Sequence, residues 1–283
     1  MTRKIFVVLL AFTIGYGAQA QDPAYLHTGD WGLTLGAAHY FGDLNTRVGL
    51  QSPKPALGVF YRKQYGLYVA LRVSAHYARL GYSDSKSKND YQKTRNLSFN
   101  TSVFEAAVQG DFNFFKYTPN NAENIFTPYI TLGVGIFNYD PYAFLAGEKV
   151  YLRPLGTEGQ VANYLGRKAY SNLAVCIPFG VGVKYSLSEK INLSFEVAQR
   201  FTNTDYLDDV STTYAGADKF PNKNNGQPSN AALLQDRSYE VVPNNILGIE
   251  GRQRGNAKQK DQYVIAEFGI SFNLSAYRCP RSN

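Results

Sequence analysis

Phe104-Glu105-Ala106-Ala107-Val108-Gln109-Gly110-Asp111-Phe112-Asn113-Phe114 is the stretch whose alternation decides the fold. At period two, Phe104, Ala106, Val108, Gly110, Phe112 and Phe114 share one face, while Glu105, Ala107, Gln109, Asp111 and Asn113 share the other. That is the pattern of a strand wetted on one side only. In a soluble sandwich the polar face meets water and the apolar face meets a second sheet. In an outer-membrane barrel the apolar face meets lipid and the polar face lines the interior.

The same alternation recurs on both sides of this segment. Trp31, Leu33, Leu35 and Ala37 oppose Gly32, Thr34, Gly36 and Ala38; Leu57, Val59 and Tyr61 oppose Gly58, Phe60 and Arg62. Val69 to Tyr77 alternates with Ala70, Arg72, Ser74, His76 and Ala78, and Ile130 to Ile136 alternates with Thr131, Gly133 and Gly135. Further on, Val175 to Tyr185 alternates with Cys176, Pro178, Gly180, Gly182 and Lys184, and Ile191 to Phe201 with Asn192, Ser194, Glu196, Ala198 and Arg200. The last strand sets Val264 to Leu274 against Ile265, Glu267, Gly269, Ser271 and Asn273. Eight strands of roughly 10 to 13 residues result, matching the span needed to cross a bilayer at the usual tilt. Tyr and Phe at strand ends, as in Tyr40-Phe41, Tyr77, Phe114-Phe115 and Tyr185, suit an interfacial girdle.

Connection lengths are an independent check. The odd connections, 42–55, 83–96, 138–172 and 203–261, are long, and the even ones, 63–66, 116–124 and 186–190, are short. A soluble sandwich or a lipocalin-like barrel does not predict that alternation, and a lipocalin needs an apolar interior. The expected fold is therefore all-β: an eight-stranded antiparallel transmembrane barrel of OmpA-like form. Long loops are extracellular, short turns are periplasmic, and both termini are periplasmic. Ten strands result if part of the third or fourth loop pairs as a hairpin above the membrane.

Composition agrees. The 283 residues are 44% apolar and 18% charged, with 22 Tyr, 18 Phe and one Trp, against roughly 25% charge in ordinary soluble domains. Beyond the N-terminus the longest charge-free stretch, 124–139, is broken by Pro128, Gly133 and Gly135 and is too short for a spanning helix. Residues 1–20 read as a signal peptide: Arg3 and Lys4, then an apolar run 5–14, then Ala18-Gln19-Ala20. Cleavage leaves Gln21 at the front of a barrel domain 21–283, with no Cys at the cut for lipidation. Losing Arg3 and Lys4 lowers the formal charge from +7 to +5. For an exported chain this points to lipopolysaccharide phosphates or other envelope anions and not to nucleic acid. Cys176 and Cys279 fall at opposite barrel ends and are expected to stay unpaired with each other.

An eight-stranded interior is just wide enough for side chains to fill it. Glu105, Asp111, Glu196 and Glu267 face inward with Arg62, Arg72, Lys184 and Arg200, a neutralising plug that argues against a general porin. His27, His39 and His76 have no metal-ligand spacing, and no glycine-rich phosphate loop opens a helix. Ser74 and His76 share the inward face of one strand, a thin basis for a lipid-modifying hydrolase, which needs a third, orienting group. No catalytic residue, cofactor or metal is expected. In the fourth long loop, Asp205, Asp208 and Asp209 present the clustered oxygens that Ca²⁺ favours, although carboxylates in such runs more often cap turns. The segment 229–240, with Ala231, Leu233 and Leu234, suits a short helix. Lys86, Lys88, Lys93 and Arg95 in the second loop, and Arg252, Arg254, Lys258 and Lys260 at the end of the fourth, read as solvated charge or as lipopolysaccharide contacts.

Four segments carry a family resemblance: Gly36-Ala37-Ala38-His39-Tyr40-Phe41-Gly42-Asp43-Leu44-Asn45, Thr127-Pro128-Tyr129-Ile130-Thr131-Leu132-Gly133-Val134-Gly135, Thr204-Asp205-Tyr206-Leu207-Asp208-Asp209-Val210-Ser211-Thr212, and Arg254-Gly255-Asn256. Over nearly the whole mature chain the sequence resembles the PorG-type outer-membrane barrel of the type IX secretion system. Tyr206, Leu207, Asp208 and Asp209 are its most specific piece. The resemblance implies a Bacteroidota envelope, association with the periplasmic ring of the lipoprotein PorK and its partner PorN, and a part in protein secretion and, in some species, gliding. One departure is the tail: barrels of this kind usually end on an aromatic residue of the last strand, whereas residues 273–283 continue past Phe272. Tyr277, Arg278 and Pro280 in that tail are available to dock on a ring subunit. The rival reading is a stand-alone OmpA-like barrel that binds surface ligands through its outer loops.

Overall fold

The computed structural model describes residues 27–46, 52–118 and 123–275. Eight strands form the wall: β1 (His27–Phe41), β2 (Lys54–Tyr65), β3 (Val69–Ser83), β4 (Ser98–Asn113), β5 (Phe126–Asn138), β8 (Leu173–Ser186), β9 (Ile191–Thr202) and β10 (Gln262–Ser275). Each pairs antiparallel with its neighbour in sequence, and β1 pairs with β10, so the sheet closes into a barrel without free edges. The expected eight-stranded antiparallel barrel is the fold. The two further strands, β6 (Tyr142–Leu145) and β7 (Glu148–Tyr151), form a hairpin in the third long connection whose ladder meets the wall at Asn100 and Tyr142 and whose Ala143 packs into the buried cluster at the loop end. This is the hairpin that a ten-strand count allows for.

Every wall strand keeps one side-chain face out and one in. On β4 the buried face runs Val103, Glu105, Ala107, Gln109, Asp111, Asn113, and Phe104 is 60% exposed. On β10 Phe268 is 70% exposed, whereas inward Arg62, Lys184 and Arg200 are exposed by no more than 2%. An outside of Leu, Val, Ile and Phe around a charged inside inverts a soluble protein, and a continuous apolar belt of this kind needs lipid around it. On β3 the outward Val69, Leu71, Val73, Ala75 and Tyr77 span roughly 27 Å along the strand and, at a tilt of about 40°, roughly 20 Å along the membrane normal. That height approaches the apolar band of outer-membrane barrels.

The long connections all emerge at one end of the barrel, and the short ones, between β2 and β3, β4 and β5, and β8 and β9, at the other. Two short helices lie in the long ones. The helix α1 (Asp90–Arg95) is capped by Asn89, whose side chain accepts from the amides of Tyr91 and Gln92; α2 (Asn230–Gln235) is capped by Ser229, which accepts from Ala232. The second is the helix expected in 229–240; the first occupies a stretch read from sequence as solvated charge. The segment 1–20, the tail 276–283 and Cys279 lie outside the described residues, so Cys279's pairing is untested. Cys176 carries a free, buried thiol.

Candidate functional site

Two charged assemblies occupy the molecule: a plug inside the wall and a cap over the loop end. The lower plug gathers on residues near the short turns. Asp111 lies 2.9 Å from Lys184 and 3.6 Å from both Arg62 and Arg72. Arg62 also holds Asp30 at 2.7 Å, and Arg72 holds Glu196 at 2.7 Å. Higher up, Glu105 lies 3.4 Å from Arg200 and 3.6 Å from His76, whose other ring nitrogen is 3.3 Å from Glu267; Tyr263 donates its hydroxyl to Glu105. These side chains converge because alternation sends them all inward from different strands. The eight inward charges expected from sequence are all here, joined by Asp30 and His76. Burying so many charges is tolerable only because each meets a partner, and together they fill the bore.

Ser74 and His76 share this interior, but the Ser74 hydroxyl donates to Gln109 at 3.2 Å while His76 lies between Glu105 and Glu267. Both are shut inside the wall, away from lipid.

The cap is built by the third and fourth long connections. Glu158, fully buried, accepts from the amides of Ser211 (2.9 Å) and Thr212 (3.0 Å), from the Thr212 hydroxyl (2.6 Å) and from Arg254 (3.2 Å). Arg254 also donates to the Asp209 carbonyl at 2.6 Å. The Tyr206-Leu207-Asp208-Asp209 motif lies at the centre. Leu207, Asp208 and Asp209 are buried, and the Tyr206 ring stacks on Tyr170 at 4.5 Å. Asp208 accepts from Tyr40 and from the Val210 amide, and Asp209, at φ 66°, accepts from Thr157 and from Tyr170 at 2.6 Å. Asp205 accepts from Ser211 at 2.6 Å. The three carboxylates thus diverge onto separate donors, as turn-capping carboxylates do, and among the described residues no His, Cys, Asp or Glu cluster surrounds a point where an ion would sit. The motif builds the cap's interior and offers little of itself to a partner.

Burial in this crowded acidic region raises the carboxyl pKa values. Asp205 and Asp209 are pushed up to about 6 by desolvation, which the Ser211 hydroxyl opposes at the first and Arg254 at the second. Asp208 and Asp261 go well above the ordinary carboxylate range through burial and the negative charges around them, Asp43 beside Asp208 and Asp208 beside Asp261.

Two loop charges read as solvated are not. Arg95 is buried in a two-pronged pair with Asp84 at 2.7 and 2.9 Å and donates to the Arg254 carbonyl at 2.8 Å; Arg254 is itself buried. Both satisfy long-range partners, so no count of local charge reveals their fate. Glu158 escaped sequence reading altogether; its only local mark is a place between Gly156 and Gly159, both at positive φ.

The model of a family described as a domain of unknown function, DUF6089, matches residues 3–225. The chain belongs to the DUF6089 family. No curated protein matches it. Among solved structures, this DUF6089 member is similar to Ail, the attachment invasion locus protein of Yersinia pestis (8% identity, 87% of this chain and 99% of that one, TM-score 0.40). It is similar to Neisserial surface protein A (9% identity, 87% and 97%, TM-score 0.41) and to the outer membrane protein AlkL in lipid bilayers (11% identity, 93% and 98%, TM-score 0.38).

Proposed function

We propose that the protein is a non-catalytic outer-membrane barrel of the type IX secretion machinery that anchors or organises the periplasmic ring of PorK and PorN. The filled bore carries this reading. A barrel of eight strands packed with ion pairs has no passage for a protein, so a part in secretion is exercised through its surfaces. The resemblance of the Thr204 to Thr212 segment to PorG-type barrels supplies the partner. In this reading the long loops face outward, and the short turns and both termini face the periplasm. Mild detergent extraction of the tagged protein from its host, followed by mass spectrometry, should recover PorK and PorN in stoichiometric amounts. A deletion strain should retain secretion cargo in the periplasm; normal export of every cargo would sink the reading.

The ordered cap favours a second reading, a stand-alone OmpA-like barrel that binds surface ligands through its outer loops. A barrel recovered alone, with cross-linking also negative, would move the function there. Trimming 213–252 should then abolish ligand binding, whereas a ring anchor would survive the same deletion.

A further inference from the structure

The apolar belt has a sharp upper edge. Leu57, Tyr77 and Phe104 stand side by side in register on β2, β3 and β4. One outward position nearer the loops, the wall changes character: Arg79 follows Tyr77 on β3, and Ser102 and then Asn100 follow Phe104 on β4. Here β2 begins at Lys54 while β3 and β4 stay paired as far as Ser83 and Ser98, which leaves a notch of about 410 Å³ in the rim. Lys54, Arg79 and Lys86 line it, and no acidic residue does.

Each of the three cations is held by a neutral oxygen. Lys54 donates to Asn100 at 3.0 Å, Lys86 to the Ser52 hydroxyl at 2.8 Å, and Arg79 to the Tyr77 hydroxyl at 3.1 Å. Asp84, the acid nearest Lys86 in the chain, is taken by Arg95 at 2.7 Å. Three cations around one opening repel one another, and an anion in the notch relieves that repulsion. Below it, on the lipid face, lies an apolar groove of about 640 Å³, where the small side chains of Ala75 and Ala106 sink the surface between Leu57, Phe104 and Ile136. The same Leu57, Tyr77 and Phe104 row forms its upper lip.

A cationic notch at headgroup height above an apolar groove matches an amphiphile with an anionic head. We infer that the notch and groove form a binding site for a phosphate-bearing lipid of the surrounding leaflet, phosphate against Lys54, Arg79 and Lys86, acyl chain along Ala75 and Ala106. Arg and Lys supply the charge-assisted hydrogen bonds that phosphate oxygens accept. The site rests on the outward orientation of the long loops proposed above. Recovery of PorK and PorN does not involve the notch, so the two readings fail separately.

The test is native mass spectrometry of the full chain in detergent with lipid A, with the same lipid stripped of its phosphates, and with inorganic phosphate as competitor. Phosphorylated lipid A should be retained at least roughly tenfold over the stripped form. A Lys54→Gln, Arg79→Gln, Lys86→Gln variant should lose that preference, and a charge-matched Lys168→Gln, Lys223→Gln, Lys258→Gln control should keep it. Ala75→Leu with Ala106→Leu, which fills the groove, should weaken retention while leaving the rim charges in place. Heat-dependent gel migration verifies that every variant is folded. Equal retention by the notch variant and the control, no preference for the phosphorylated lipid, or displacement by millimolar inorganic phosphate would overturn the assignment.

Discussion

Glu158 and Arg254, 96 residues apart in the chain, meet at 3.2 Å inside the cap, both closed off from solvent. Each is also tied to backbone of the Tyr206-to-Thr212 segment, so the pair clamps the third long connection to both ends of the fourth. Glu158→Ala leaves Arg254 and the Ser211 and Thr212 donors facing a void, a loss of about 3–5 kcal/mol for a broken buried pair. The effect should be local. Limited proteolysis is expected to open 203–261 in the variant while heat-dependent gel migration reports an intact barrel. A cap as resistant as the parent's would refute the clamp.

Asp111 is the lower plug's common anion, with Lys184 at 2.9 Å and Arg62 and Arg72 at 3.6 Å. Asp111→Ala leaves buried Lys184 without a carboxylate partner and takes a second carboxylate from Arg62 and Arg72, which keep Asp30 and Glu196, and should lower barrel stability by about 3–5 kcal/mol. Asp218→Ala, in an exposed pair with Lys219, should leave it essentially unchanged, because water and salt screen such a pair. Urea unfolding in detergent compares them, and similar midpoints would mean that the plug does not stabilise the barrel.

The cap should loosen as pH rises. Asp43, Asp205 and Asp209 titrate at about 6 in the folded cap because burial disfavours their charged forms, whereas unfolded Asp titrates near 3.9. A carboxyl raised on folding stabilises the folded state below the unfolded value and loses that contribution as pH climbs through the folded one. Hydrogen exchange in 203–212, corrected for the intrinsic pH dependence of exchange, should show protection falling between about pH 4 and 7. Protection that rises across this window would contradict the assignment.

Val134 lies in the register row Tyr61, Val73, Val108, Val134 and is 62% exposed on the lipid face. Val134→Lys puts a charge deep in the belt and should destabilise the barrel in vesicles by about 2–4 kcal/mol, while Asn138→Lys at the edge should cost at most about 1. Equal values for the two sites would place the membrane elsewhere on the wall.

The β4 alternation, repeated seven more times, determined from sequence the barrel, its strand count, the inward placement of Arg62, Arg72, Glu105, Asp111, Lys184, Glu196, Arg200 and Glu267, and the division into long and short connections. It was readable because in a strand the face a side chain occupies depends only on odd or even position, and lipid outside makes the two faces differ in every strand. The loops obey no such period. That Arg95 turns inward to the Arg254 and Asp43 carbonyls, that Glu158 rather than the carboxylate run it supports is the cap's hub, and that β2 stops short beside β3 and β4 to leave three cations facing one another depend on contacts between residues tens of positions apart. Such contacts form only once the closed barrel has brought the loop ends together, so the tertiary structure alone decided them.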